Sequence, residues 1–169
     1  SDTVKIISNF AVGFGNIDLE AAKKRNIIVT NTPDVLTDAT AEIAMLLILG
    51  AARRASEGIT YVKNKNWKWT SDFLIGKQLE GSRLGMGRIG RAVAIRAKAF
   101  GMEIHYHNRS QLKPDLEMGA IYHENIKSLF SVSDILSINC PATKETKNII
   151  NKKTLEFFPM GAIITNSAR

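Results

Sequence analysis

Residues 85–90 read Gly85-Met86-Gly87-Arg88-Ile89-Gly90, three glycines at the spacing of a strand that turns tightly into a helix. In such a turn the first glycine permits the bend, the second lets the backbone approach an anion, and the third lets helix and strand pack closely. The helix N-terminus then presents unpaired N–H groups to that anion. The spacing alone is weak, because glycine-rich turns also arise by chance, so the neighbouring residues must decide. Ile89, Val93, Ala97 and Phe100 recur at helical intervals, and Gly101 supplies a stop. Met102, Ile104 and Tyr106 then alternate with Glu103, His105 and His107 in the period of a strand. The unit reads turn, helix, strand, with Asn108-Arg109-Ser110 at the strand's end, where a dinucleotide-binding unit chooses between NAD and NADP.

Upstream the pattern is short. A buried strand of about five residues should run into the first glycine, yet only Ser82-Arg83-Leu84 separates Gly81 from Gly85. The strand lacks about three residues, and shortening by an odd number reverses the faces of the side chains that follow. The expectation is therefore that the intact protein carries further residues around Leu84-Gly85-Met86, which its mass would reveal.

Elsewhere strand-like and helical stretches alternate. Val4 to Ser8 and Ile27 to Thr30 read as strands flanking a short helix that Asp18 caps and that runs through Lys24. A long helix is predicted from about Asp38 toward Lys65; its first half is apolar on every side and so must be covered all round, between domains or subunits. Residues 64–81, with Trp67, Trp69, Phe73 and Leu74, form an irregular connection whose aromatics read as packing anchors rather than as substrate contacts. Further strands are predicted at Ile121-Tyr122, Ile135 to Asn139 and Ala162 to Thr165. Helices separate them around Ile126 to Phe130 and from Asn151 to about Phe158. This alternation calls for a parallel α/β sheet, doubly wound in the Rossmann manner, with ligands at the C-terminal strand ends.

Composition excludes several classes. The 169 residues are 44% apolar and 23% charged, ordinary for a globular domain. The formal charge of +7 is spread along the chain without an aromatic-interleaved basic stretch, which argues against nucleic-acid binding while still favouring an anionic cofactor. One cysteine excludes an intrachain disulfide framework and fits a reducing compartment. The longest apolar run, Ile43 to Ala52, is half the ~20 residues a membrane span needs, and the N-terminus shows no signal-peptide pattern. A soluble, cytoplasmic protein without membrane or nucleic-acid partners is expected, and no metal-ligand set is assigned.

Several segments together are more specific than any one. Asn9-Phe10-Ala11-Val12-Gly13-Phe14-Gly15-Asn16-Ile17-Asp18 is followed in order by Thr30-Asn31-Thr32-Pro33, Thr37-Asp38-Ala39-Thr40-Ala41-Glu42 and Gly87-Arg88-Ile89-Gly90. Asn139-Cys140-Pro141-Ala142-Thr143-Lys144-Glu145-Thr146 and Asn166-Ser167-Ala168-Arg169 complete the series. Over essentially its whole length the chain resembles the D-isomer-specific 2-hydroxyacid dehydrogenase family, in particular its glyoxylate/hydroxypyruvate reductase branch.

The resemblance implies a dinucleotide-binding domain at 82–169, a long linking and dimer helix with its connection at 38–81, and the C-terminal part of a flavodoxin-like substrate domain at 1–37. It implies that the backbone of Val12 and Gly13 holds the substrate carboxylate. Gly85, Gly87, Arg88, Ile89 and Gly90 correspond to the pyrophosphate cradle, while Thr40, Cys140, Pro141, Thr146, Ser167 and Ala168 correspond to the rest of the cofactor lining. Arg169 corresponds to the arginine that binds the substrate carboxylate and polarises the reacting carbonyl, a role its planar fork suits. Asn108, Arg109 and Ser110 favour NADP(H), with NAD(H) possible. The implied substrate is a small 2-oxo or 2-hydroxy acid, and a homodimer is expected.

Two positions depart from the family pattern. Gly15 stands where aspartate is usual, and Gly85 aligns either with the first motif glycine or with a glycine inside the preceding strand. The family's catalytic glutamate and histidine fall beyond Arg169, so a longer parent is expected; His105, His107 and His123 read as strand or surface histidines. Two other functions fit the same residues: a catalytically idle dinucleotide-sensing module of the corepressor kind, and a Rossmann-like domain that binds nothing.

Overall fold

Residues 1–39 form one unit of the chain and residues 40–169 a second. The computed structural model describes residues 3–65, 69–86, 90–140 and 143–168. In the first unit, β1 (Ile6–Ser8) and β2 (Ile28–Thr30) pair in parallel, Ile7 opposite Val29, joined by α1 (Leu19–Lys24). Asp18 starts α1 by accepting the Ala21 N–H at 2.9 Å, satisfying one of the donors a helix start leaves open.

The second unit is a five-stranded parallel sheet in the order β5-β4-β3-β6-β7. Its strands are β3 (Arg83–Met86), β4 (Glu103–Tyr106), β5 (Ile121–Tyr122), β6 (Ile135–Ile138) and β7 (Ile163–Asn166). The helices are α2 (Thr37–Ala52), α3 (Ala55–Lys63), α4 (Gly90–Ala99), α5 (Pro114–Glu117), α6 (Ile126–Val132) and α7 (Lys152–Leu155). Strand order runs outward in both directions from β3, so the crevice of an open α/β sheet falls between β3 and β6.

Both faces of this sheet are covered, and the alternation of side chains sorts them. Leu84, Ile104 and Ile135 point to one face, where Ala44, Met45 and Ile48 of α2 and Val93 and Ala97 of α4 complete a dry core. On the other face Leu136 meets Leu129 and Phe130 of α6, and Phe130 stacks on Phe158 with ring centroids 4.5 Å apart.

The short strand is completed from within the glycine motif. β3 extends through Gly85 and Met86, and Gly85 pairs with His105 on one side and Leu136 on the other. A Cβ at Gly85 would lie 2.2 Å from Ser133 Oγ and 3.0 Å from Leu136 Cδ1. Gly85 is thus the glycine inside the strand, which corrects its assignment to the pyrophosphate turn. At the opposite end of β3, the Asp134 carboxylate accepts the Arg83 N–H and guanidinium, each at 3.0 Å, tying β3 to the start of β6.

Three other expectations are corrected. The long helix breaks at Arg54, which adopts a left-handed φ of 54° and folds its guanidinium onto Glu57 at 2.6 Å. Trp69 is 79% exposed and anchors nothing, whereas Phe73 packs edge-on against Tyr61 and Trp67 lies outside the described residues. The helix that Asn151 caps ends at Leu155, three residues before Phe158. Among the described residues no helix is long and apolar enough to cross a membrane.

Candidate nucleotide site

At the C-terminal ends of β3, β4, β6 and β7 the chain brings together most of the expected cofactor residues. Gly90 opens α4 and is buried, and the first turn of α4 carries no acidic side chain, so the helix dipole there favours an anion. Gly87, Arg88, Ile89, Pro141 and Arg169 lie outside the described residues. Thr40 is half-buried in the first turns of α2.

Beyond β4, His107 Nδ1 donates to the His123 carbonyl at 2.8 Å, and Asn108, Arg109 and Ser110 follow, with Arg109 and Ser110 exposed. No carboxylate stands in this tripeptide. The Glu145 carboxyl is held below the usual carboxylate range, first by a hydrogen bond from the Thr143 side chain and also by the positive charge of Arg109. The segment after β6 is a closed turn: the Thr143 N–H donates to Thr146 Oγ1 at 2.8 Å, and the Thr146 N–H to Thr143 Oγ1 at 3.3 Å.

Asn139 links the ends of β6 and β7. It is 1% exposed; its amide donates to the Ser137 carbonyl at 3.2 Å and to Ser137 Oγ at 3.0 Å, and its oxygen accepts from Ser167 Oγ at 2.6 Å. The next peptide is steered as well, because the Ala168 N–H donates to Asn166 Oδ1 at 2.9 Å. Cys140, half-buried, borders a cavity of about 40 Å³ that Asn139, His107 and Ile149 also line. In the sequence Asn139 closes a strand and opens a motif, without a partner of its own. Its signal was a polar residue closing an apolar strand, which must find partners once buried.

In the first unit, the Asn31 amide donates to the Val12 carbonyl at 2.9 Å and the Asn9 amide to the Gly13 carbonyl at 2.8 Å. Across a planar trans peptide the N–H opposes the carbonyl, so these two side chains turn the Gly13 and Phe14 N–H groups the other way. Gly15 has open space where a side chain would stand.

Of the three histidines, His105 is a buried strand residue, while His107 and His123 are half-buried. His105 lies on the α6 face of β4, buried because both faces of a parallel sheet are covered. Its Nε2 meets Glu103 Oε1 at 3.2 Å and its Nδ1 meets His123 Nε2 at 2.8 Å, while His123 Nδ1 meets Ser128 Oγ at 2.6 Å. One proton assignment satisfies every link: Ser128 donates to His123, His123 to His105, and His105 to Glu103. Both rings are then neutral.

Burial lowers the pKa of His105 against the opposing pull of Glu103, and burial followed by the charges of His105 and His107 lowers that of His123. The unfolded chain thus takes up these protons first. The contribution to stability is fully present above the ordinary histidine value of about 6.5 and is lost as pH falls through the depressed values. The urea midpoint should drop between about pH 7.5 and about pH 5, and the drop should shrink in His123→Gln; equal pH dependence in both proteins would contradict this account. Among the described residues no group of three or more His, Cys, Asp or Glu is placed to hold a metal ion.

Comparison with known proteins agrees with this geometry. Residues 45–169 match the model of the D-isomer specific 2-hydroxyacid dehydrogenase, NAD binding domain. The chain is 43% identical over 174 residues to the glycerate dehydrogenase of Hyphomicrobium methylovorum, covering 99% of this chain and 54% of that protein. It is 45% identical over 176 residues to the glyoxylate reductase of Thermococcus litoralis, covering 98% and 53%. Among solved structures, a glyoxylate reductase from Paecilomyes thermophila superimposes with a TM-score of 0.88 at 38% identity, over 99% of this chain and 51% of that one. The chain therefore spans about half the length of the curated relatives it matches. The matched stretch of 174 residues also exceeds the 169 of this chain, so the relative carries internal residues that this sequence lacks. With a Rossmann-type parallel sheet and a match to the family's domain over residues 45–169, the chain belongs to the D-isomer specific 2-hydroxyacid dehydrogenase family.

Proposed function

We propose that the protein containing this chain reduces a small 2-oxo acid of the glyoxylate or hydroxypyruvate type to its 2-hydroxy acid, with NADPH preferred and NADH accepted more weakly. The observation that carries the cofactor choice is the donor set after β4. Asn108, Arg109 and Ser110 offer an amide, a guanidinium and a hydroxyl with no carboxylate among them, the chemistry of a phosphomonoester site rather than of a ribose 2′-hydroxyl. The substrate class rests on the relatives named glyoxylate reductase and glycerate dehydrogenase.

On this reading Gly87, Arg88, Ile89 and Gly90 cradle the pyrophosphate, and Asn108, Arg109 and Ser110 take the 2′-phosphate. Thr40, Cys140, Pro141, Thr146, Ser167 and Ala168 line the remainder, the last two steered by Asn139 and Asn166. The backbone loop at Val12 and Gly13 receives the substrate carboxylate. Arg169 also binds that carboxylate and stabilises negative charge developing on the carbonyl oxygen, an electrostatic contribution of the oxyanion type. The nicotinamide cofactor, when bound, supplies the hydride for the carbonyl carbon.

A homodimer belongs to the same proposal. Ile43 and Leu46 are 52% and 64% exposed on the face of α2 opposite the core, an apolar stripe that a second copy would cover. The test is made on the full-length protein. Titration should give saturable NADPH binding tighter than that of NADH, glyoxylate should be consumed with NADPH oxidation, and light scattering should read twice the chain mass. Binding without turnover of any small 2-oxo acid would leave only the dinucleotide-sensing module.

A further inference from the structure

Tyr106 ends β4 and Tyr122 ends β5; the two are register partners, their ring centroids 5.3 Å apart, and neither belongs to the proposed cofactor lining. Tyr106 is 4% exposed, so its hydroxyl must find partners inside the protein. It accepts the Leu112 N–H at 2.9 Å and donates to Glu117 Oε1 at 2.5 Å, an oxygen that also accepts from the Gln111 amide at 2.9 Å. The Tyr122 hydroxyl donates to the Asn108 carbonyl at 3.4 Å, a longer and weaker link. Asn108 and Leu112 are the two ends of the short segment that carries Arg109 and Ser110.

We infer that Tyr106, assisted by Tyr122 and by Glu117 of α5, is a positioning residue for cofactor choice: it pins the segment that presents Arg109 and Ser110 to a 2′-phosphate. The inference rests on the NADPH reading above. A guanidinium on an exposed turn gives up conformational freedom when it engages a phosphate, and a segment already fixed at both ends gives up less. Glu117 is suited to its part, since hydrogen bonds from Tyr106 and Gln111 hold its carboxyl below the usual carboxylate range and keep it an acceptor. None of these three side chains is required to touch the cofactor.

The effect should therefore appear in discrimination rather than in binding as a whole. Calorimetric titration of the full-length protein with 2′,5′-ADP and with 5′-AMP isolates the 2′-phosphate from all nicotinamide chemistry. Tyr106→Phe keeps the ring and removes the hydroxyl. It should weaken 2′,5′-ADP about three- to tenfold while changing 5′-AMP by less than about twofold, with Tyr122→Phe showing a smaller loss of the same kind. Glu117→Ala should resemble Tyr106→Phe, and Glu117→Gln, which retains an acceptor, should restore most of the discrimination. Equal losses for both nucleotides in Tyr106→Phe would show a merely structural role and overturn the inference. So would discrimination in the unsubstituted protein that survives the substitution. Equal binding of the two nucleotides by the unsubstituted protein would overturn the NADPH reading itself, and the inference with it.

Discussion

Replacing Arg109 by alanine should lower the affinity of the full-length protein for NADPH by about ten- to a hundredfold and leave NADH within about twofold, the loss of the one charge-assisted contact proposed for the 2′-phosphate. NAD-specific units accept the ribose 2′-hydroxyl on a carboxylate that repels a phosphate at the same place. On the proposed reading Asn108 takes that position, and a neutral amide there would remove the repulsion. Arg109 is exposed in the segment that follows β4, at the C-terminal end of a parallel strand. Its fork can make paired bonds to a phosphate that a lysine would make only as a point charge. The converse substitution, Asn108→Asp, should turn the preference toward NADH. Fluorescence titration with both cofactors reads both outcomes. Equal weakening of NADPH and NADH by Arg109→Ala would mean that the residue supports the cofactor generally and does not select it.

The second large effect is on the fold. Gly85→Ala should destabilise the protein by about 1–3 kcal/mol, the range for overpacking a filled core. The new methyl would stand 2.2 Å from Ser133 Oγ and 3.0 Å from Leu136 Cδ1, in the central strand of the sheet. Ser133 cannot retreat freely: it is fully buried and its hydroxyl donates to the Leu129 carbonyl at 2.7 Å, so moving it leaves a buried acceptor without that partner. Combining Gly85→Ala with Ser133→Ala should cost less than the sum of the two, because the serine oxygen is the nearest obstacle; Ser133 Cβ, at 3.2 Å, keeps the recovery incomplete. Urea unfolding of the four proteins measures this. An unchanged midpoint in Gly85→Ala would show that β3 does not run as described.

These predictions differ in how far they could be reached from residues alone. Periodicity located α4, β4 and the cores of β6 and β7, because hydrophobic spacing is written within one segment and needs no partner. Asp18 and Asn151 were legible as caps for the same reason: an oxygen side chain beside a helix start answers a local need. The tripeptide Asn108-Arg109-Ser110 was legible because its spacing from the glycines is a property of the chain. The burial of His105 was not. Alternation marks one covered face, and only α6 packing over the other made His105 an interior residue bonded to His123.

By itself, then, the sequence determined the parallel α/β class, the positions of most elements and the chemistry displayed at the strand ends, all of which follow from spacing within short segments. Tertiary structure alone decided the rest. It drew Gly85 and Met86 into β3 by pairing them with β4 and β6, and it broke the long helix at Arg54. It laid one face of α2 on the chain's own sheet, and it joined Asn139 to Ser167 and Tyr106 to Leu112 and Glu117. The physical reason is common to all of these: a strand's end, a helix's covered face and the partner of a buried hydroxyl are set by groups far along the chain, whose approach is a property of the fold and not of any local pattern.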